Sequence, residues 1–302
     1  MSRRVAFIIN SDSGAGRGQV RWFRLRDRFP VDGTESRVLF TSEPGAAVQL
    51  ARDAAREYDA VVAVGGDGTV FEVASGLLLS GVAHPVLGIV PVGTGNDTAR
   101  LCGIDSPVQG MEALHGTRSR RLDVVRIECQ APGAPVVRYS LLYGAVGLIG
   151  AVVKQTTPLV KKIFGQRLAY PVGAARAILS YRAPPMRVTC DGQTWEKRFL
   201  LVCASNAELS GGGMRLAPGA RMDDGLLNLN VCEEVGRAAA IGLLWRISRG
   251  RQFSHPKLRY FTARKMTVES ESPLEVQADG ETIGHTPARI EVLPQGLEVL
   301  VP

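Results

Sequence analysis

Three glycines surround one aspartate at the end of an apolar run in AVVAVGGDGTVFEV, residues 60–73. Gly65, Gly66 and Gly68 carry no side chain, so backbone N–H groups there can approach a phosphate, and a following helix N-terminus favours its negative charge. Asp67 cannot contact phosphate directly, because like charges repel. An aspartate at this position therefore predicts a cation between its carboxylate and the phosphate, most simply Mg²⁺, or hydrogen bonds from a ribose hydroxyl or from backbone amides.

The same design recurs after the next apolar run, in VPVGTGNDTAR. Thr94 and Gly95 fall at the phosphate-facing turn and Asp97 falls in a first helical turn, whereas Asn96 is also compatible with an N-cap. Glu72 lies one turn beyond the first motif and is suited either to orient a nucleotide hydroxyl or to cap the structure.

A third loop of small residues, NSDSGAGRG at 10–18, also follows an apolar run. Ligands of open parallel sheets bind beyond the carboxyl ends of the strands, so three such loops predict a nucleotide site. The chain contains no GxxxxGK[ST] loop and no GxGxxG followed by an acid about 20 residues later. This excludes a P-loop NTPase and an ordinary NAD dehydrogenase.

Strands and helices alternate up to about residue 122, which is typical of a parallel sheet covered by helices. Beyond it, short alternating runs separated by turn residues predict a mostly antiparallel β region interrupted by two helices, at 164–181 and 235–250. We therefore predict an α/β nucleotide-binding domain over 1–123 and a β-rich domain over 124–302, with a last strand able to pack on either.

Composition narrows the class of protein but not the ligand. The net charge of +7 and the pI of about 9.4 suit nucleic acid, anionic phospholipid or a phosphorylated ligand, and no nucleic-acid recognition motif is visible. Five scattered cysteines predict reduced thiols and no metal site. The longest apolar stretch, Leu141–Val153, is shorter than the ~18 residues of a membrane span, so we expect a cytoplasmic protein attached at most to a membrane face.

GGDGT followed by PVGTGNDTAR resembles the catalytic domain of the diacylglycerol kinase family, close to the bacterial soluble lipid kinases. The first motif alone also fits NAD kinases and 6-phosphofructokinase-like folds, and the second narrows the choice. RLDVVR, GQRLAYPVGAARAILSY, GGGMRLAPGARMDDGLLNL and VQADGE extend the resemblance in order over nearly the whole chain.

The resemblance implies an NAD-kinase-like or diacylglycerol-kinase-like α/β domain, a β-rich domain and an active site between them. It implies ATP- and Mg²⁺-dependent phosphorylation of the hydroxyl of diacylglycerol or a related lipid, as in phospholipid biosynthesis, at a membrane surface, and it leaves a homodimer open. The ATP contacts that it implies are Asn10, Ser11, Asp12, Ser13, Gly14, Thr41, Gly65, Gly66, Asp67, Gly68, Thr69, Glu72, Thr94, Gly95, Asn96 and Asp97.

The resemblance also implies metal ligands and catalytic acids. A structural Mg²⁺ site is matched by the Asp224 side chain with the carbonyls of Arg221 and Leu226. Three further acids belong to the set around catalytic Mg²⁺ and its waters, namely Asp67, Asp97 and Asp123. In ADGE, Asp279 and Glu281 match the catalytic acids, with Glu281 as proton acceptor, although Asp-Gly alone also favours a surface hairpin.

Three positions depart from the family pattern and concern the finer contacts of the nucleotide pocket. Ser11 stands where Pro is frequent, Phe71 where Asn is frequent, and Tyr143 near another frequent Asn.

A lipid acceptor calls for an apolar groove with a basic rim. Residues 145–153 and 168–179 are candidates for the groove, or for core, and the basic clusters at 118–121, 161–162, 246–251 and 264–265 are candidates for the rim. An NAD kinase-like enzyme and a non-catalytic nucleotide- or lipid-binding regulator are the competing interpretations.

Overall fold

The structure is a computed structural model that describes residues 3–16, 18–28, 35–155, 172–247, 249, 251 and 254–302. Within these ranges, no helix is long and apolar enough to cross a membrane. The α/β plus β-rich architecture predicted from the sequence is confirmed.

The N-terminal part is a parallel sheet in the order β2-β1-β3-β4 with helices on its faces. Its elements are β1 (Val5–Ile9), α1 (Ser13–Gly16), α2 (Gly18–Arg28), β2 (Ser36–Phe40), α3 (Ala46–Ala54), β3 (Ala60–Gly65), α4 (Asp67–Leu79), β4 (Val86–Pro91), α5 (Asp97–Leu101) and α6 (Pro107–His115). Strands β1 and β3 are buried along their whole length, which explains their continuous apolar runs.

Two parts of this domain differ from the sequence-based expectation. The loop predicted over residues 11–18 contains α1 and the start of α2, because its small residues allow a tight helical turn directly after β1. Helix α6 was not predicted, although Ser106 caps it by accepting a hydrogen bond from the Gln109 amide.

The C-terminal part is mostly antiparallel. Its strands are β5 (Ser119–Ala131), β6 (Ala134–Ser140), β7 (Tyr143–Gly147), β8 (Pro185–Cys190), β9 (Gln193–Ser205), β10 (Leu209–Ser210), β11 (Met214–Arg215), β12 (Leu227–Glu233), β13 (Leu258–Ala263), β14 (Lys265–Glu269), β15 (Glu275–Ala278) and β16 (Glu281–Leu300). Its helices are α7 (Leu148–Gln155), α8 (172–180) and α9 (Arg237–Ile247). Three predicted features lie wholly or partly outside the described residues: the helix at 164–171, the groove segment at 168–171 and the basic pair at 161–162.

Six of these strands form a closed ring of hydrogen-bonded neighbours, in the order β16-β15-β7-β9-β8-β14 and back to β16. The ring encloses an apolar core that includes Val188, Val202 and Val276. Closure leaves these strands with partners on both sides, which removes the unpaired edges that open sheets expose.

Strand β16 joins the two parts of the molecule. It pairs antiparallel with β5 for most of its length, and near its end Glu298 pairs with Val86 of β4 in parallel register. The sequence predicted two separate strands here. The structure has one, because register shifts between His285 and Ala288 and between Leu293 and Leu297 let it continue through the irregular positions. The domain division at 123/124 remains a proposal.

Helix α4 contributes to cores on both sides of the junction. Val70, Val73 and Leu77 belong to the core shared with the parallel sheet, whereas Phe71 is buried in the core of the strand ring. The departure from the family's Asn at position 71 therefore has a physical reason, since this side chain faces aliphatic residues.

All five cysteines are buried and unpaired, as predicted. Burial raises the pKa of Cys102, Cys190 and Cys203 to about 12, so these side chains remain thiols at neutral pH.

Replacing Phe71 by Ala should lower the free energy of unfolding by about 3–5 kcal/mol, because the change empties a buried position between two cores. Urea unfolding followed by circular dichroism measures the loss. The matched control is Phe23→Ala on α2, where the side chain is 38% exposed and the expected loss is below about 1 kcal/mol. Equal losses in both variants would contradict the assignment.

Candidate nucleotide and catalytic site

The two glycine-rich loops after β3 and β4 touch through their backbones. A Cβ atom added at Gly93 would lie 2.3 Å from the Cα of Gly66. The amides of Val92 and Gly93 donate to the Gly65 carbonyl at 3.0 and 3.1 Å. A side chain at position 93 would therefore force the loops apart.

Asp67 binds the second loop through its carboxylate. Its Oδ1 accepts a hydrogen bond from the Thr98 amide at 3.0 Å, in the first turn of α5. A Cβ atom at Gly95 would lie 2.5 Å from the Asp67 Oδ2. Of the roles predicted for this aspartate, contact with backbone amides is the one present here, and its second oxygen faces Gly95.

The loop at residues 10–18 is hydrogen-bonded to the start of α4, beside the two glycine-rich loops. The Asn10 amide Nδ2 donates to Thr69 Oγ1 at 3.1 Å, while Asn10 Oδ1 accepts from the Asp12 amide at 3.0 Å. The Ser13 hydroxyl donates to the Asn10 carbonyl at 2.7 Å. Ser11 lies between these residues at the end of β1. The structure thus brings the three small-residue loops together at the carboxyl ends of β1, β3 and β4.

Arg21 was not predicted as a site residue, yet it lies beside these loops. Its Nη1 donates to the Val92 carbonyl at 2.7 Å and would be 2.8 Å from a Cβ atom at Gly14. Gly14 has a φ of 60°, a conformation that favours glycine. This places a permanent positive charge between the loop at residues 10–18 and the loop after β4.

Glu72 caps α3. Its Oε1 accepts from the Gly45 amide at 3.0 Å and its Oε2 accepts from the Ala47 amide at 3.2 Å. Carboxylates stabilise helix N-termini in this way. The capping role proposed for Glu72 is therefore present in the structure, and it fixes the segment that follows Thr41, whose amide donates to the Ile9 carbonyl.

Asn96 occupies the N-cap position of α5 in a left-handed conformation, with a φ of 58°. Its side chain makes no capping hydrogen bond, and its Nδ2 instead donates to the Gly93 carbonyl at 3.1 Å. Asn96 therefore stands at the N-cap position that the sequence allowed for it, but it does not cap the helix with its side chain. Thr94 lies between these residues and is exposed.

Asp97 connects the second loop to the β-rich part. Its Oδ2 accepts from the Gly212 amide in the β10–β11 hairpin at 2.6 Å, and its Oδ1 lies 3.2 Å from the Arg100 guanidinium. Burial raises the pKa of the Asp97 carboxyl, and the nearby Asp67 charge acts in the same direction. Arg100 also donates to the Gly95 carbonyl, so it braces the loop.

Asp123 contacts a different segment from the other two predicted aspartates. Its Oδ2 accepts from the Gly225 amide at 2.6 Å and its Oδ1 accepts from the Gln295 amide at 2.8 Å, while its own amide donates to the Met222 carbonyl. Asp123 is buried and fixes the turn at 221–226 against β16.

That turn carries the three residues predicted for a structural Mg²⁺ site. Asp224 is exposed, and its Oδ1 accepts from the Leu226 amide at 3.1 Å, while Arg221 Nε lies 3.2 Å from Asp223. Hydrogen bonding from Arg120 lowers the pKa of Asp223 and keeps it charged. The turn presents carboxylate and carbonyl oxygens, which are the donors that Mg²⁺ prefers.

No group of three or more His, Cys, Asp or Glu side chains in the described ranges is placed to hold a metal ion. The three predicted aspartates lie at two separate places. Asp67 and Asp97 lie where the two glycine-rich loops meet, here named the loop junction, whereas Asp123 lies at the 221–226 turn.

Asp279 is enclosed by donors. It accepts the Ser140 hydroxyl at 2.5 Å and the amides of Leu141, Leu142 and Tyr143 at 3.0–3.1 Å. Desolvation by burial nevertheless raises the pKa of Asp279 to about 6. Because its oxygens are engaged, this residue positions the β6–β7 connection, and the aromatic ring of Tyr143 is buried beside it.

Glu281 begins β16 two residues later and is exposed. Its Oε1 would lie 3.7 Å from a Cβ atom at Gly68, in the first turn of α4. The ADGE hairpin is therefore more than a surface turn, because it brings an exposed carboxylate to the N-terminus of the helix that follows the GGDGT loop.

The sequence did not indicate four residues that contact the site, namely Arg21, Arg100, Ser140 and Gly212. Only Gly212 had a visible signal, the Gly-Gly-Gly run at 211–213, whose three residues all have positive φ.

Comparisons with known proteins cover the whole chain. The diacylglycerol kinase catalytic domain matches residues 4–127, and the YegS C-terminal NAD kinase beta sandwich-like domain matches residues 146–301. A diacylglycerol kinase of Staphylococcus saprophyticus is 27% identical over 304 residues, covering 100% of this chain and 96% of that protein.

A second curated relative and a solved structure agree. A diacylglycerol kinase of Staphylococcus haemolyticus is 28% identical over 272 residues, covering 89% of this chain and 79% of the relative. A crystal structure of a candidate diacylglycerol kinase from Bacillus anthracis has a TM-score of 0.78 at 26% identity, covering 99% of this chain and 97% of that one.

Asp279 should make stability depend on pH between about 4 and 6. Its carboxyl binds a proton more tightly in the folded chain, so its contribution is fully present below its unfolded pKa of about 4 and is lost as pH rises through about 6. The free energy of unfolding of the natural chain, minus that of Asp279→Asn, should fall from pH 4 to pH 7 in urea titrations. A difference that stays constant or rises would refute this assignment.

Proposed function

The chain belongs to the family that joins a diacylglycerol kinase catalytic domain to a YegS C-terminal domain, and from this premise we propose that it transfers the γ-phosphoryl group of ATP to a lipid hydroxyl. It is a lipid kinase. Diacylglycerol is the acceptor that we propose first, because the curated relatives carry that name.

The observation that carries the proposal is the junction of Gly66 with Gly93 at the start of α4. Gly66 is the N-cap residue of α4 and provides no side-chain cap, so the first-turn amides of a 13-residue helix point to the space beyond β3. Backbone donors and the helix dipole there suit the phosphates of ATP. Arg21 adds a positive charge at the same junction.

Glu281 is proposed as the group that accepts the proton of the lipid hydroxyl. A general base must come within hydrogen-bond reach of the hydroxyl that attacks. Glu281 lies beside Gly68, so a hydroxyl bound between its carboxylate and the α4 N-terminus would face the terminal phosphate. Phosphoryl transfer depends mostly on such positioning and on charge stabilisation.

Asp279 is proposed to support Glu281 by holding the turn. Four hydrogen bonds fix Asp279 against residues 140–143, and the two acids lie at opposite ends of the same tight hairpin. Asp97 is proposed to hold the second loop against the β10–β11 hairpin, through Gly212.

Mg²⁺ is proposed as the metal cofactor. When bound, it would neutralise phosphate charge and bridge phosphates to carboxylates. Asp67 is the residue that fits this role at the loop junction, because its Oδ2 faces Gly95 while Oδ1 is bound to α5. Asp224, with the carbonyls of Arg221 and Leu226, fits a separate structural ion at the 221–226 turn.

The acceptor's tails require an apolar surface near Glu281. Helix α7 follows β7, and Leu148 and Ile149 are partly buried against the core, so one side of the helix is available. A membrane face is the place where such an acceptor is found, and we propose that the chain works there. A homodimer remains a prediction.

Gly93→Ala should weaken ATP binding at least tenfold, because the new Cβ atom meets the Gly66 backbone at 2.3 Å and displaces the loops. Isothermal titration with ATP and Mg²⁺ measures the change. Gly236→Ala is the matched control, since a Cβ atom there meets nothing within 4 Å and neither glycine has a positive φ. Unchanged affinity in Gly93→Ala would count against a nucleotide at the junction.

Glu281→Gln should lower phosphoryl transfer to the lipid about 10²–10⁴-fold, the usual contribution of a general base. ATP affinity should stay within about twofold, because Gln has the same shape. Labelled-lipid formation and ATP titration are measured on the same preparation, with Glu271→Gln, an exposed acid beyond the hairpin, as control. Transfer at the natural rate in Glu281→Gln would exclude this residue as the base.

A further inference from the structure

Helix α9 presents large apolar side chains to solvent. Ile241 is 46% exposed and Trp245 is 52% exposed, and they are four residues apart, so they lie on one face of the helix. On the opposite side, Ala240 and Leu243 are buried in the core. An exposed tryptophan next to an exposed isoleucine is unusual for a surface that only meets water.

The charges around this face have one sign. Residues 237–251 contain four arginines and no acid. Arg237 precedes Ile241 by four residues on the helix. Arg249 lies in the turn beyond the end of α9, and its guanidinium stands 3.9 Å from the centre of the Trp245 ring. Arg246 and Arg251 are also exposed.

The nearest acids in the sequence are paired with other basic residues. Glu233 is ion-paired with Lys197 at 2.6 Å and Glu234 with Arg198 at 3.1 Å. The face formed by Arg237, Ile241, Trp245 and Arg249, here named the α9 face, therefore combines apolar surface with positive charge.

This combination matches the headgroup region of an anionic bilayer. Tryptophan is enriched at membrane interfaces because its ring is apolar and its N–H is polar. Arginine extends its guanidinium to lipid phosphates while its stem stays in the apolar layer. A basic amphipathic helix with tryptophan on one face is typical of surface binding, not of spanning.

We propose that the α9 face docks the protein on an anionic phospholipid surface. The proposal rests on the lipid kinase function given above and adds the surface through which the enzyme meets its substrate. Leu243 of α9 belongs to the same continuous core as Tyr143 and Val70 of α4.

Tryptophan emission tests the proposal without any turnover. The chain has three tryptophans. Trp22 is 1% exposed and Trp195 is half-buried, so the emission of the exposed Trp245 should change most when the protein contacts lipid. Vesicles of phosphatidylcholine that contain phosphatidylglycerol, whose charge gives the surface a negative potential, should shift the emission to the blue. The Trp245→Phe variant should lose the blue shift, but the protein should still co-sediment with the vesicles.

Variants of the face test affinity. Ile241→Ser with Trp245→Ala, and separately Arg246→Gln with Arg249→Gln, should each weaken sedimentation with anionic vesicles about tenfold or more. Arg56→Gln with Arg52→Gln, exposed arginines in and just after α3, serve as the charge-matched control. Pure phosphatidylcholine vesicles should bind each protein weakly.

Two measurements separate this proposal from the lipid kinase function. The α9 variants should phosphorylate a short-chain diacylglycerol dispersed in detergent as fast as the natural chain does. If neither the natural chain nor the variants transferred phosphate, the lipid kinase function would be refuted and the docking surface would not. Vesicle binding that the α9 variants leave intact would overturn the docking surface. So would a change from dimer to monomer in light scattering of the α9 variants, which would assign the face to a second copy, or equal binding to a short DNA duplex.

Discussion

The contact between the backbones of Gly66 and Gly93 is the constraint on which the site depends. It requires two positions without side chains at the ends of neighbouring strands, and it sets where every other group can lie. Asp67 reaches the first turn of α5 because the loops touch, and Asn10 reaches Thr69 because Gly65 leaves space for that side chain. The helix N-terminus of α4 then faces the open space beyond the sheet.

Three carboxylates hold backbone segments of the β-rich part against the site. Asp97 fixes the β10–β11 hairpin, Asp123 fixes the 221–226 turn, and Asp279 fixes the connection between β6 and β7. Each is buried or enclosed and accepts backbone amides. Glu281 differs because it is exposed beside the α4 N-terminus, and this difference is why we propose Glu281 alone as the proton acceptor.

The sequence predicted the alternation of strands and helices, the three loops and their meeting place, because glycine and apolar runs are local signals. It could not predict which carboxylate atoms bind backbone, because these partners lie far away in the chain: Asp97 with Gly212, and Asp123 with Gln295. The same holds for Arg21, whose partner is the Val92 carbonyl. The single β16 strand was missed because its bulges look like strand ends.

The most direct test is to incubate the natural chain with γ-labelled ATP and Mg²⁺ on a panel of hydroxyl lipids in mixed micelles, with NAD in the same panel. Diacylglycerol, phosphatidylglycerol, a sphingoid base and a polyprenol all offer a hydroxyl and differ in what surrounds it. Label on one of these lipids, and none on NAD, is the result that the site predicts. Label on NAD alone, or ATP binding with no labelled product, would contradict a lipid kinase.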